Sequence, residues 1–406
     1  MKIPQIGPAF LVTAAFIGPG TVVTASIAGA NYGFALLWAL LFSVIATIIL
    51  QEMTARLGVV TQQGLGENIR EACTQPILRA LAIALIVSAI AIGNSAYQSG
   101  NIAGASIGLT SAFASYSDNT SQLQSIFSVL IGLVAFFLLI TGSYKVIEKA
   151  LIILVALMSA AFLVTFTLTK PDFSALLSGL FTPNIPTGAT LTVIALIGTT
   201  VVPYNLFLHA ASVAKKWNNT KYLSQARKDL YFSIPLGGLI SMAILSTAAT
   251  AFFNQQITLN SASDIAPSLQ PLFGDSAILF LALGLFAAGI SSAVTAPLAA
   301  AFALSGILNL SNDLNSKSFK AIWFVVLTLG VLGASLGYKP VNIIWFAQVA
   351  NGILLPIVTI FLLSVMNTDK LGKHKNNLWQ NLLGALVVLI SLMLSGRSLM
   401  SAFGLL

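Results

Sequence analysis

The sequence predicts an all-α membrane protein of about eleven transmembrane helices, and its composition and residue pattern support that prediction. Of the 406 residues, 57% are hydrophobic and only 7% are charged, and the mean hydropathy is +0.93. A soluble domain carries about 25% charged residues, so this chain cannot cover a water-exposed surface. The apolar residues fall in runs of roughly 20, the length that crosses a bilayer. The net charge of +8 comes from residues scattered between these runs, so it indicates no nucleic-acid partner.

The apolar runs follow one another with only short polar segments between them, so residues 1–406 form a single transmembrane domain. We predict spans near 9–31, 34–55, 79–111, 123–142, 147–169, 187–214, 230–253, 276–308, 319–336, 341–366 and 377–404. The third and eighth runs exceed the thickness of a bilayer, so these helices tilt or extend past it.

The distribution of Lys and Arg predicts the orientation of the chain. If the N-terminus is cytoplasmic, sixteen of the nineteen basic residues lie on the cytoplasmic side. Only Lys170, Lys339 and Arg397 then lie outside, as the positive-inside rule requires. We therefore expect an integral protein of the bacterial inner (plasma) membrane, with its N-terminus in the cytoplasm and its C-terminus outside.

Two of the predicted spans contain helix-breaking residues at their centres. The first span reads Gly18-Pro19-Gly20-Thr21 and the sixth reads Val202-Pro203-Tyr204-Asn205. A single proline could simply kink a helix, but two breaks at corresponding positions divide the chain into two five-helix halves. Because each half has an odd number of spans, the halves are inverted repeats, at about 9–169 and 187–366, followed by an extra helix at about 377–404.

Inverted repeats with paired broken helices are typical of secondary transporters, which hold their cargo at the middle of the membrane. The broken backbone exposes N–H and C=O groups, which lipid tolerates only where protein or a cavity surrounds them. We therefore expect residues 18–21 and 202–205 to be non-helical and to face each other across a cavity.

Several segments resemble the NRAMP family of divalent-metal transporters, which have the LeuT-type fold. They are IGPAFLVTAAFIGPGTVVTASIAGANYGFALLW, TARLGVVT, YKVIEKALIILVALMSAAFLVT, GTTVVPYNLFLHA, LFAAGISSAVTAPLAAAFALSGIL and AQVANGILLP. The resemblance covers nearly the whole chain. It implies a LeuT-type fold, alternating access and a metal-ion cargo.

The chain departs from the family pattern at the metal site. The family's Asp-Pro-Gly-Asn is replaced by the residues from Gly18 to Thr21, and its Met-Pro-His-Asn by those from Val202 to Asn205. The resemblance places Gln98 and Asn101 at the family's proton-route carboxylates and Ile290 where Gln is usual. Gln348 matches a family residue that reaches the bound metal.

The acidic residues give the same result without any reference to a family. All eleven lie at predicted span ends or in loops, so no anionic ligand is expected near mid-membrane. A dehydrated divalent ion in a low-dielectric site needs such ligands. His209 is the remaining titratable candidate within the predicted spans, one turn beyond the second break. It is either a proton relay or a neutral hydrogen-bonding residue.

The predicted site therefore consists of neutral groups. The candidate cargo-binding residues are Gly18, Gly20, Thr21, Thr199, Val202, Tyr204, Asn205 and Gln348. Gln98, Asn101 and His209 form a candidate coupling or polar network, and any metal would bind at the cargo positions. Thr24, Thr200, Ser291 and Ser292 are interpreted mainly as helix-bridging residues.

Three hypotheses follow. The first is a transporter of a divalent metal ion with altered or weakened selectivity, the ion keeping part of its hydration shell. The second is a carrier of a small neutral or zwitterionic organic solute, for which Tyr204 offers an aromatic face. The third is a sensor or scaffold that has lost the site. No enzyme activity or cofactor is expected, and the partners are the cargo and the lipid bilayer.

Overall fold

Five of the described helices begin with a proline, the residue best suited to the first position of a helix. A computed structural model describes residues 7–113, 119–141, 145–253, 255, 259 and 262–402. Lys2 and residues 403–404 of the last predicted span lie outside these ranges. In chain order the α-helices are α1 (Pro8–Phe16), α2 (Pro19–Tyr32), α3 (Leu37–Thr61), α4 (Leu65–Ala72), α5 (Pro76–Phe113), α6 (Thr120–Thr141), α7 (Lys145–Leu168), α8 (Phe173–Phe181), α9 (Thr190–Thr200), α10 (Pro203–Lys216), α11 (Leu223–Phe252), α12 (Ala262–Ile265), α13 (Gln270–Phe273), α14 (Ala277–Leu308), α15 (Lys317–Ala334), α16 (Pro340–Val365) and α17 (Leu378–Ala402). Short 3₁₀ segments lie at Thr220–Tyr222, Ala266–Leu269, Gly274–Ser276 and Asp369–His374.

The described residues form ten helices long and apolar enough to cross a membrane, or eleven when the bent pair α1 and α2 counts as one span. The prediction of about eleven spans is therefore confirmed. The short helices α4 and α8 lie in segments that the sequence analysis treated as loops. Helix α4 has its apolar residues on one face, and the α8 N-terminus is capped by Asp172, which accepts hydrogen bonds from two backbone amides.

The span made of α9 and α10 is the most buried of the described spans, with residues 192–210 all buried. Helix α9 packs against α16 through Gly198, where an added Cβ would lie 2.6 Å from the Gly352 nitrogen and overlap the Gln348 carbonyl oxygen. Such backbone contact needs a residue without a side chain, which is how helices associate closely in lipid. Helix α17, by contrast, lies at the periphery, with most of its surface exposed.

Glu52 and Asp229 lie within helices that continue past the ends of their predicted spans. Helix α3 continues to Thr61, beyond its predicted end, so Glu52 lies within the helix and is buried. It accepts hydrogen bonds from Arg56 at 3.0 Å and from Arg227 at 2.7 Å, which compensate its charge. Asp229, within α11, accepts a hydrogen bond of 2.9 Å from the Ala9 nitrogen at the start of α1.

Helix α4 lies outside the membrane-spanning segments and carries a half-buried carboxyl group. Glu67 accepts a hydrogen bond from Asn312, in the connection between α14 and α15. Burial raises the pKa of Glu67 above its ordinary value of 4.5, against the opposing effect of its hydrogen bonds. Glu71 is more exposed, and the pKa of its carboxyl group is lowered by a hydrogen bond from Lys370.

We predict that Glu67→Gln flattens the pH dependence of stability. Between 4.5 and the raised pKa, the folded protein keeps a proton that the unfolded chain releases, so stability falls as pH rises. The melting temperature in detergent, followed from pH 4 to 7.5, should therefore decline less in Glu67→Gln than in the unmodified protein. Glu71→Gln is the matched control: because a lowered pKa changes stability only below about pH 4.5, this variant should leave the decline between pH 5 and 7.5 unchanged. An unchanged pH profile in Glu67→Gln would contradict the prediction.

Candidate functional site

The first helix break consists of two residues. Helix α1 ends at Phe16 and α2 begins at Pro19, with Ile17 and Gly18 between them and a bend of 51°. The expectation that residues 18–21 are all non-helical is wrong, because proline is well suited to the first position of a helix and α2 starts there. Gly20 and Thr21 thus lie in the first turn of α2. Gly18 has φ −117°, a conformation open to any residue.

The carbonyl groups released at the end of α1 are occupied by hydroxyl groups. The Tyr97 hydroxyl donates to the Ala15 oxygen at 3.3 Å, and the Ser292 Oγ donates to the same oxygen at 3.5 Å. The Thr21 hydroxyl donates to the Phe16 oxygen. Residues of three helices, α5, α14 and α2, therefore satisfy acceptors that no helical N–H reaches.

The second break is also shorter than expected. Only Val201 and Val202 are non-helical, and Pro203 begins α10, so Tyr204 and Asn205 lie in its first turn. The backbone N–H of Asn205 donates to the backbone oxygen of Val202 at 3.0 Å. Together α9 and α10 form one 27-residue span, so this break interrupts the hydrogen-bond ladder without the sharp bend of the first.

The two broken spans touch directly where the sequence predicted a cavity between them. The Oγ1 atoms of Thr21 and Thr199 are 2.9 Å apart, within hydrogen-bonding distance. The Gln348 amide of α16 lies over Gly20, where an added Cβ would be 2.7 Å from Gln348 Cδ. The structure therefore brings Gly20, Thr21, Thr199 and Gln348 together in a closed arrangement.

Buried polar atoms with no hydrogen-bond partner among the described residues lie on Asn205, in the first turn after the second break, and on Gln348, which lies over Gly20. They are both side-chain amide atoms of Asn205 and the Gln348 Oε1, whereas the Tyr204 hydroxyl lies within reach of the Tyr97 side chain. The three side chains are 1% exposed or less, so water does not reach them. Because a buried polar atom without a partner is costly, such a group of atoms is a candidate site for a polar cargo.

The candidate network residues Gln98 and Asn101 face a different part of the bundle. The Gln98 Nε2 donates to the Ala293 oxygen at 2.9 Å, and Gln98 packs on Gly330 of α15. The Asn101 backbone oxygen lies beside Gly289 of α14, and its side-chain nitrogen has no partner in the described part of the chain. Both residues thus belong to the packing of α5 against α14 and α15.

His209 lies one turn into α10 and is fully buried. Its Nδ1 is 3.1 Å from the Thr54 Oγ1 of α3, and its Nε2 has no hydrogen-bond partner within the described ranges. The imidazole is therefore held from one side, and it connects α10 to α3.

Sequence reasoning missed Tyr97 and gave Ser292 only a helix-bridging role. Tyr97 is fully buried, and its ring contacts the Tyr204 ring in a T-shaped arrangement with centroids 5.2 Å apart. A tyrosine at mid-span must find an acceptor for its hydroxyl, which was a usable signal. The sequence gave no indication of which acceptor, because Ala15 is 82 residues away in the chain.

The site offers oxygen and amide groups but no charge. The described residues contain no group of three or more His, Cys, Asp and Glu side chains that could hold a metal ion. Beside the first break, a cavity of about 230 Å³ lies between α1, α7, α11 and α14, and its lining includes Thr13, Ile17, Ser159 and Ser291. The geometry can bind a small polar cargo through neutral donors and acceptors.

Comparison with known proteins gives consistent matches over nearly the whole chain. The Nramp family, described as natural resistance-associated macrophage protein-like, matches residues 9–401. The divalent metal cation transporter MntH of Yersinia pestis is 28% identical to this chain, in an alignment that covers 99% of this chain and 96% of that protein. The corresponding protein of Pectobacterium carotovorum is 26% identical, with 96% and 92% covered.

Solved structures show the same architecture. A manganese transporter of Eremococcus coleocola, crystallised with an aromatic bis-isothiourea substituted compound, matches with a TM-score of 0.78 at 20% identity, covering 98% of this chain and 86% of that one. MhsT in complex with L-phenylalanine matches with a TM-score of 0.65 at 13% identity, covering 96% and 98%. The predicted LeuT-type fold is confirmed.

We predict that Gly198→Ala destabilises the protein by disturbing the contact between α9 and α16. The added methyl group would overlap backbone atoms of Gln348 and Gly352, which cannot move aside as a side chain would. Overpacking of this kind costs about 1–3 kcal/mol. Gly396→Ala in α17 is the control, because an added Cβ there meets no atom within 4 Å. The measurement is the melting temperature of each variant in detergent. Equal melting temperatures for Gly198→Ala and Gly396→Ala would refute the prediction.

Proposed function

This chain belongs to the natural resistance-associated macrophage protein-like (Nramp) family, and on that premise we propose that it is a secondary transporter whose cargo binds between the two helix breaks. The observation that carries the proposal is the set of buried polar atoms on Asn205 and Gln348 that have no hydrogen-bond partner within the described ranges. Gln348 lies over Gly20 of the first span, Asn205 lies in the first turn after the second break, and Thr21 of one broken span meets Thr199 of the other. A transported solute that supplies the missing partners would be bound there and released when the breaks separate.

The cargo that we propose first is a divalent metal ion that keeps part of its hydration shell. Relatives of this chain are named divalent metal cation transporters. The ligands available at the breaks are the hydroxyl groups of Thr21 and Thr199, the Asn205 amide and the Gln348 Oε1. Neutral oxygens suit hard, hydrated ions. Softer transition metals would be favoured by a thioether ligand, and the residues at the breaks include none. Selectivity for manganese or iron is therefore altered or weakened.

A small neutral or zwitterionic organic solute is the second candidate cargo. The Asn205 Nδ2 and the Tyr204 hydroxyl are buried hydrogen-bond donors, which a metal ion cannot satisfy but a carbonyl or carboxylate group can. The Tyr97 and Tyr204 rings offer aromatic faces beside these donors. A sensor or scaffold without transport is the weakest alternative, since both helix breaks are retained although they are costly in lipid.

We propose weak coupling to protons. Gln98 and Asn101 carry no titratable group and pack against α14 and α15 rather than at the breaks. His209 is the titratable side chain nearest the second break in sequence, and it is held by Thr54. Alternating access would move the two inverted repeats, at about 9–169 and 187–366, relative to each other.

We predict that the loop between α10 and α11 faces the cytoplasm. Asn218 is exposed in this loop, beside Lys215 and Lys216. In a background where the native Cys73 is replaced by Ser, Asn218→Cys should resist a membrane-impermeant thiol reagent in intact cells and react after permeabilisation. Thr187→Cys, exposed in the loop before α9, should react in intact cells. The reverse pattern would invert the proposed orientation.

We predict that the unmodified protein binds manganese at millimolar concentration or not at all, because no anionic group offsets dehydration of the ion. Gly18→Asp with Thr21→Asn should tighten binding by about tenfold or more, since a carboxylate and a carboxamide enter the first break. The Gly18 backbone accepts a side chain, although the new Cβ would lie 3.1 Å from the Ser292 Oγ.

Calorimetry and manganese uptake into proteoliposomes would compare the unmodified protein with this double variant. Micromolar manganese binding by the unmodified protein would contradict weakened selectivity and support an ordinary metal transporter. If no variant takes up manganese, magnesium or amino acids, this result would contradict transport itself.

A further inference from the structure

We propose that Tyr97 and Ser292 are specificity-determining residues, which lower the affinity of the first break for cations by occupying the Ala15 carbonyl. This inference rests on the proposed function, because it concerns the cargo site at the breaks. It goes beyond the missing carboxylate, since it identifies groups that are present and compete with an ion. The three observations behind it are the position of Ala15, the convergence of two hydroxyl groups on its oxygen, and the fixed placement of Tyr97.

Ala15 lies in the last turn of α1, immediately before the first break. The last four carbonyl groups of a helix have no intrahelical partner, and together they carry a partial negative charge. In transporters with broken helices, such half-helix ends are the groups that coordinate cations. The Ala15 oxygen is therefore one of the stronger cation ligands that this neutral site could offer.

In this protein the Ala15 oxygen already has two donors, the Tyr97 hydroxyl at 3.3 Å and the Ser292 Oγ at 3.5 Å. A carbonyl oxygen has two lone pairs and accepts from both hydroxyl groups, each at a distance longer than the usual one of about 2.7–2.8 Å for a strong O–H···O hydrogen bond. The neighbouring Phe16 oxygen is occupied in the same way by the Thr21 hydroxyl. An ion that takes the Ala15 oxygen must displace a donor and leave a buried hydroxyl group without its acceptor, which costs free energy.

Tyr97 is the more firmly placed of the two donors. Its side chain is 1% exposed and its ring packs edge-on against the Tyr204 ring. The phenol therefore cannot swing away from the break without losing this contact. Ser292 has a short side chain and its Oγ lies farther from the Ala15 oxygen. We therefore assign the larger effect to Tyr97, with Ser292 contributing less.

The test is calorimetric titration of the full-length protein in detergent with manganese chloride and, separately, magnesium chloride. Tyr97→Phe keeps the ring and removes the hydroxyl group, and Ser292→Ala removes the second donor. We expect Tyr97→Phe to bind either ion about 3- to 10-fold more tightly, the effect of one neutral hydrogen bond. Ser292→Ala should bind about 2- to 3-fold more tightly, and the combined variant more tightly than either.

Two control variants keep the site intact. Ser305→Ala removes a buried hydroxyl group from the same helix as Ser292, and Tyr338→Phe removes an exposed phenol, 67% accessible. Both should bind the ions as the unmodified protein does. Melting temperatures within a few degrees of the unmodified protein would show that each variant is folded. If Tyr97→Phe fails this check, Ser292→Ala decides the question alone.

Unchanged or weaker ion binding in folded Tyr97→Phe and Ser292→Ala would overturn the proposal. Ion uptake into proteoliposomes separates this result from a failure of the proposed function. Tighter binding without uptake would support the role of the hydroxyl groups while contradicting transport. Uptake with binding that the substitutions do not improve would contradict the role of the hydroxyl groups while leaving transport in place.

Discussion

Every backbone hydrogen-bonding group within a membrane must find a partner inside the protein, and the architecture of this chain depends on how it meets that requirement. Ordinary spans meet it through their own helical ladders. The two broken spans cannot, and the groups released at the first break find their partners on other helices. Tyr97 of α5 and Ser292 of α14 converge on the Ala15 oxygen, and Thr21 reaches the Phe16 oxygen. The break thus joins the helices around it.

The same constraint explains where charge is found. Within the described residues, Glu52 and Asp229 lie inside spanning helices, and each is compensated. Glu52 accepts hydrogen bonds from Arg56 and Arg227, and Asp229 accepts one from the first turn of α1. Arg56 also donates to the His374 oxygen and to Asn376, which ties α3 to the connection before α17. These contacts hold one end of the bundle together, whereas the candidate site at the breaks is neutral.

A neutral site in an Nramp scaffold changes the energetics of selectivity. A carboxylate holds a divalent ion by charge, so it can offset the loss of several waters. Amide and hydroxyl groups offset less, and here some of the released carbonyl groups are already engaged by hydroxyl donors. At the breaks, the polar atoms without partners among the described residues include those of Asn205 and Gln348, which are both donors and acceptors. The fold therefore supports transport, while the identity of the cargo depends on a few side chains at the breaks.

The sequence by itself determined the membrane class, the number of spans, the approximate location of both breaks and the neutral side chains beside them. Each of these follows from local features: lengths of apolar runs, proline and glycine positions, and the places where acidic residues are missing. Only the tertiary structure decided which polar groups meet. Tyr97 and Gln98 are neighbours in sequence, yet one contacts the break and the other packs on α14 and α15. Successive residues of a helix point roughly 100° apart, and a helix that is apolar on all sides gives no pattern to show which side faces the site.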